Sequence, residues 1–86
     1  MTHRRLCSVQ VSQEMVTNDP ETVSRSFMLV GAVPVQIEYD IMHGQFAYVL
    51  YCNKLPALGE AVATPKATIN LTRHKDGALT AELVML

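Results

Sequence analysis

The stretch from Val33 to Asn53, VPVQIEYDIMHGQFAYVLYCN, constrains the fold most, because it reads as a β-hairpin whose two faces separate by parity. Closing it through a two-residue His43-Gly44 loop sets Ile41 against Phe46, Tyr39 against Tyr48, Ile37 against Leu50 and Val35 against Cys52. That face is apolar at every rung. The other face pairs Met42 with Gln45, Asp40 with Ala47, Glu38 with Val49 and Gln36 with Tyr51, a half-polar surface left to water or a partner.

A second hairpin runs from Ala67 to Leu86 around Lys75-Asp76-Gly77. A two-residue Asp-Gly turn would pair Leu71 with Glu82 and Asn70 with Leu83, scrambling both faces. A three-residue loop with Gly77 left-handed instead pairs Arg73 with Leu79, Leu71 with Ala81, Ile69 with Leu83, Ala67 with Met85 and Thr72 with Thr80. The face rule prevails, so the spacing predicts a type I turn followed by a G1 bulge at Gly77.

Upstream, Leu6 to Ser12 alternates, with Cys7, Val9 and Val11 on one side, as a half-buried strand does. Asp19-Pro20-Glu21 then reads as a helix start, with a capping carboxylate, a proline at the first helical position and an acidic first turn. A helix from there puts Val23, Phe27 and Val30 on one stripe, turns Glu21, Ser24, Arg25 and Met28 away, and leaves Gly31 as its C-terminal cap. The β-branched and hydroxyl residues between Thr22 and Val30 favour a strand instead, but neither alternate set is clean, and the helix is the preferred reading. Lys54 to Lys66, with two prolines and Gly59, is a connection carrying at most one helical turn near Leu58 to Ala63.

The expected fold is therefore α+β: a small antiparallel sheet of about five strands in two hairpins, with one helix packed on its apolar face. An all-β barrel of the OB type is the alternative. The 86 residues make a single domain, 1–86. A domain of that size buries only about 60 to 65 per cent of its unfolded surface, so self-association is a natural supplement. Seven Lys and Arg against eight Asp and Glu exert no long-range pull toward nucleic acid or anionic membrane.

The two cysteines, Cys7 and Cys52, fall on apolar faces and read as reduced, buried thiols, although spacing alone leaves a bridge between them open. No apolar segment follows the basic start, and no run approaches the roughly eighteen apolar residues of a membrane span. The expected setting is the cytoplasm, with no membrane partner.

Chemistry-bearing patterns are sparse. Glu38 and Asp40 share a strand face with Gln36, Val49 and Tyr51, and His43 stands at the adjoining turn, so acid-base work or metal binding there is one reading. A solvated face of a one-sided sheet is the simpler one. Arg73-His74-Lys75 forms a basic hairpin tip, and Arg4-Arg5 a second basic pair. With Phe46, Tyr48 and Tyr51 on one strand they suggest a single-stranded nucleic-acid binder, weakened because Phe46 and Tyr48 point to the core. No phosphate-binding glycine loop, Gly-x-Ser-x-Gly elbow or Cys-x-x-Cys occurs, and no His or Cys pair has metal-ligand spacing.

The expected role is a non-enzymatic binding or interaction module, a homodimer or bound to a protein partner, with no cofactor and no metal. Its expected contact surface is Gln36, Glu38, Asp40, Val49 and Tyr51. Covering that half-polar face falls either to the connection, through Leu55, Leu58 and Val62, or to a second subunit. The OB-like nucleic-acid binder is the rival, and a small acid-base or metal-dependent enzyme using Glu38, Asp40 and His43 comes third.

Overall fold

In the computed structural model, which describes residues 5–59 and 62–86, five strands and two helices follow one another along the chain. They are β1 (Leu6–Ser12), α1 (Gln13–Asn18), α2 (Pro20–Leu29), β2 (Val33–Asp40), β3 (Gln45–Tyr51), β4 (Lys66–Arg73) and β5 (Leu79–Met85). The sheet order is β2-β3-β1-β4-β5, so the first strand of the chain is the central one. β1 runs antiparallel to β3 and parallel to β4, pairing Ser8 with Lys66 and Val9 with Ala67. This parallel step makes the sheet mixed rather than wholly antiparallel. The sheet is open, with β2 and β5 as free edges, which removes the closed OB-type barrel.

The helix at 20–29 forms as its signals predict. Asp19 Oδ1 accepts the Thr22 N–H, Pro20 opens the helix, and Val23, Phe27 and Val30 are buried while Glu21, Ser24, Arg25 and Met28 are exposed. The Ala32 N–H reaches back to Phe27 O and the Gly31 N–H to Met28 O, a Schellman ending that needs the φ of +72° found at Gly31. The second helix, α1, is a departure from the single helix expected. It is six residues long, is capped by Ser12 Oγ on the Met15 N–H, and buries no residue fully, so it carries no apolar stripe to betray it.

The core lies between α2 and one face of β1 and β3. Cys7, Leu50 and Cys52 are the most completely enclosed side chains, and Phe27 meets Tyr48 with ring centroids 5.0 Å apart. Both thiols are free. Burial, and then the neighbouring Cys52, push the Cys7 pKa up, which keeps its thiol protonated and unreactive. Leu55 of the connection enters this same core, and the Arg5 guanidinium donates to its carbonyl at 2.5 Å. The connection thus seals the helix side through Leu55 instead of folding that residue over the opposite face. The Val62 N–H donates to Gly59 O at 3.2 Å; the helical turn expected near Leu58 to Ala63 spans residues 60 and 61, which lie outside the described residues.

The two hairpins differ in how well their registers agree with expectation. In β4–β5 every predicted pair is found, from Arg73 with Leu79 to Ala67 with Met85, and Gly77 has a φ of +87°. In β2–β3 the register is displaced by two residues: Tyr39 faces Phe46, Ile37 faces Tyr48, Glu38 faces Ala47 and Asp40 faces Gln45. A two-residue loop would need positive φ at both His43 and Gly44. Asp40 instead accepts the Met42 and His43 N–H groups through Oδ1, and the loop widens to residues 41–44 with only Gly44 left-handed, at +59°. From Gln36 to Asp40 a displacement of two preserves each face, but before Gln36 the register shifts by one more residue, so that Pro34 stands opposite Leu50, Val33 opposite Tyr51, and Val35, expected opposite Cys52, is left unpaired.

Gly77→Val forces a β-branched residue into the left-handed region. It is expected to cost about 1 to 2 kcal/mol, read as a lowered urea midpoint with unchanged slope; a midpoint equal to wild type would contradict the turn.

Candidate functional site

Helix α2 is placed asymmetrically over the sheet. Its flank formed by Thr22 and Ser26 lines a groove of about 240 Å³ with Val9, Thr68, Ile69 and Leu71, and its end packs toward Ala81 and Leu83. The helix therefore reaches toward β1, β4 and β5, and it also comes near β2. Met28 lies on the outer side of the helix with Glu21, Ser24 and Arg25 and is 77% exposed. On β2, Ile37 of the helix-side face is 55% exposed, and Val35, unpaired where the register shifts, is 56% exposed. Tyr39 is only partly sheltered: its ring leans on Phe46 at 4.8 Å and its hydroxyl donates to Gln13 Oε1 at 2.6 Å. Past the strand end, Ile41 and Met42 are bare at the loop.

β2 is thus an unpaired sheet edge carrying a row of large apolar side chains. Such an edge presents free backbone donors and acceptors as well as apolar surface, and isolated globular domains commonly blunt it with charge. β2 carries the charges Glu38 and Asp40 on its half-polar face, and near its start Pro34 lacks a donor and the register slips between Pro34 and Gln36. From Gln36 to Asp40 the strand is regular. At the other edge, β5, Leu79, Ala81 and Leu83 are half-buried, and only Met85 is a large exposed apolar residue of the strand.

The residues expected to bind do lie on the half-polar face, but they do not converge. Gln36 sits opposite Val49, whereas Tyr51 is opposite Leu6 and Val33, further along the sheet. Gln36 Nε2 donates to Glu38 Oε1 at 2.9 Å on the same strand. Asp40 turns to the loop, where its Oδ2 lies 2.7 Å from His43 Nδ1, an exposed pair that closes the turn. The hydrogen bond from His43 is the main cause that holds the Asp40 carboxyl below the ordinary carboxylate range; the neighbouring N–H groups act the same way, against slight desolvation. Glu38 and Asp40 are each engaged separately, and no group of three His, Cys, Asp or Glu that could hold a metal occurs among the described residues.

Arg73, His74 and Lys75 form the exposed tip of the β4–β5 hairpin. His74 Nε2 is 3.0 Å from Thr80 Oγ1, and the Gly77 N–H closes the turn on His74 O. Because β4 is parallel to β1 and β3 antiparallel, both hairpin tips stand at the same end of the sheet, with β1 alone between the two hairpins. Arg4 lies outside the described residues. Its neighbour Arg5 is tied to Leu55, so it does not extend the basic tip.

The sequence reading missed Val35, Ile37 and Tyr39 as surface, since parity assigned them to the core face. The signal that marks them is Pro34: a strand interior with a missing donor belongs at an edge. No helix among the described residues is long and apolar enough to cross a membrane. Comparison with known protein families, with curated proteins and with solved structures finds no match.

Asp40 stays ionised in the folded protein to lower pH than in the unfolded chain. Its contribution to stability is full above the unfolded pKa and is lost as pH falls through the folded value. His43→Ala is expected to return the Asp40 carboxyl toward its ordinary range, measured by carbon-detected NMR titration; an Asp40 titration identical to wild type would show that His43 does not hold it.

Proposed function

We propose that this protein is a non-enzymatic interaction module that associates through the β2 edge of its sheet. The observation that carries this reading is the regular edge stretch Gln36–Asp40, with Ile37 exposed on its helix-side face and exposed Val35 just before it. Adding a strand there satisfies the free backbone groups and covers the apolar row in one step, which is how sheet edges recognise extended partners. The contact surface accordingly shifts from the whole half-polar face to its β2 border, keeping Gln36 and Glu38 and replacing Val49 and Tyr51 with Val35, Ile37 and Tyr39. A homodimer or a protein partner satisfies this edge equally in principle. The two buried free thiols suit a reducing compartment such as the cytoplasm.

Val35→Lys combined with Ile37→Lys tests the reading. Both side chains are more than half exposed, so the folded state is expected to lose no more than about 1 kcal/mol. Affinity capture with wild type and variant from one extract is expected to retain a protein, including the chain itself, that the variant releases. Equal recovery on both would contradict an interaction through this edge.

A further inference from the structure

We infer that the occupant of the β2 edge is β2 of a second copy of this chain, running antiparallel about a two-fold axis at Ile37, so that two five-stranded sheets become one; this rests on the interaction reading above. The residue pattern of the edge selects this arrangement from the few registers a two-fold axis allows. An axis passing between residues sets Ile37 against Glu38 or against Gln36, merging an apolar face with a polar one. An axis at Glu38 places two carboxylates directly opposite each other, which is unfavourable. An axis at Gln36 sets Ile37 against Val35 where the register slips, and Glu38 against Pro34, which leaves the carboxylate without a donor.

An axis at Ile37 also meets the slip, since Val35 then faces Tyr39 and Pro34 faces Asp40, but Asp40 already accepts the Met42 and His43 N–H groups and Glu38 gains a donor in Gln36. Ile37 meets Ile37 of the second copy, Tyr39 meets Val35, and Gln36 meets Glu38 twice over, once on each side of the axis. Gln36 and Glu38 are already oriented on one face by their mutual hydrogen bond of 2.9 Å. The amide has two donor hydrogens and the carboxylate several acceptor sites, so each Glu38 can accept from the second copy as well as from its own strand. The charge pattern Gln-Ile-Glu is self-complementary only in this register. A two-fold axis normal to the sheet also puts both α2 helices on the same side, with Ile37 and Tyr39 of both copies on the face between them. The contact is isologous and closed, so it ends at a dimer and does not propagate through β2.

Sedimentation equilibrium on the full chain, with folding of each variant checked by circular dichroism, reads the outcome. Wild type is expected to dimerise. Gln36→Glu sets Glu against Glu at two rungs and is expected to raise the dissociation constant roughly two- to thirtyfold, whereas Gln36→Lys is expected to lower it by a similar factor. Ile37→Cys, oxidised with glutathione disulfide, is expected to give a covalent dimer on a non-reducing gel, since the two side chains stand opposite each other and the native thiols are buried. A chain that stays monomeric at millimolar concentration overturns self-pairing, as does a dimer in which both Gln36 variants shift affinity the same way or Ile37→Cys fails to cross-link. If the monomeric chain still captures another protein that Val35→Lys with Ile37→Lys releases, self-pairing alone fails and the edge interaction stands.

Discussion

One helix of ten residues, with the short α1 beside it, covers a sheet of five strands, and the rest of the structure follows from that mismatch of widths. A helix with its side chains is about 10 to 12 Å across, while five strands at about 4.8 Å spacing span nearly twice that. The Val23, Phe27, Val30 stripe can bury two or three strands and no more. It buries β1 and β3, where Cys7, Leu50 and Tyr48 lie, and leans toward β4 and β5. On β2 the cover is incomplete, and Ile37 stays more than half exposed.

Stability and interaction therefore occupy different strands. β1 is held on both sides, antiparallel to β3 and parallel to β4, and carries the most buried side chains of the sheet together with β3. Truncating Leu50 or Phe27 would remove packing from every neighbouring element, at a cost of about 2 to 5 kcal/mol. Changes on β2 at Val35 or Ile37 touch one neighbour strand and solvent. This separation lets an edge keep large apolar residues for association without making the fold depend on them.

Apart from the start of β2, before Gln36, the faces of both hairpins were legible in the residues, because parity depends only on the period of two. The β4–β5 register was legible too, since Gly77 and the alternation agree on one loop. The β2–β3 register was not, because Asp40 captures the loop N–H groups and widens the turn by two residues, a side-chain interaction that alternation does not encode. α2 announced itself through Asp19, Pro20 and Gly31, whereas α1 has only a serine cap and no stripe. The parallel pairing of β1 with β4 joins segments nearly sixty residues apart, beyond the reach of local pattern. Without the strand order, Ile37 and Tyr39 look like core; with it, the same residues are a bare edge, and Pro34 is the one local sign of that position.

Amide hydrogen exchange on β2 tests the central claim most directly. Alternate amides of an edge strand point away from the sheet and have no partner within the chain. If β2 is a bare edge that pairs on association, the outward amides between Gln36 and Asp40 exchange rapidly in dilute protein and become protected as concentration rises, while β1 and β3 amides stay protected throughout. Outward β2 amides that are already protected in dilute monomer, or that stay unprotected at high concentration, would contradict it.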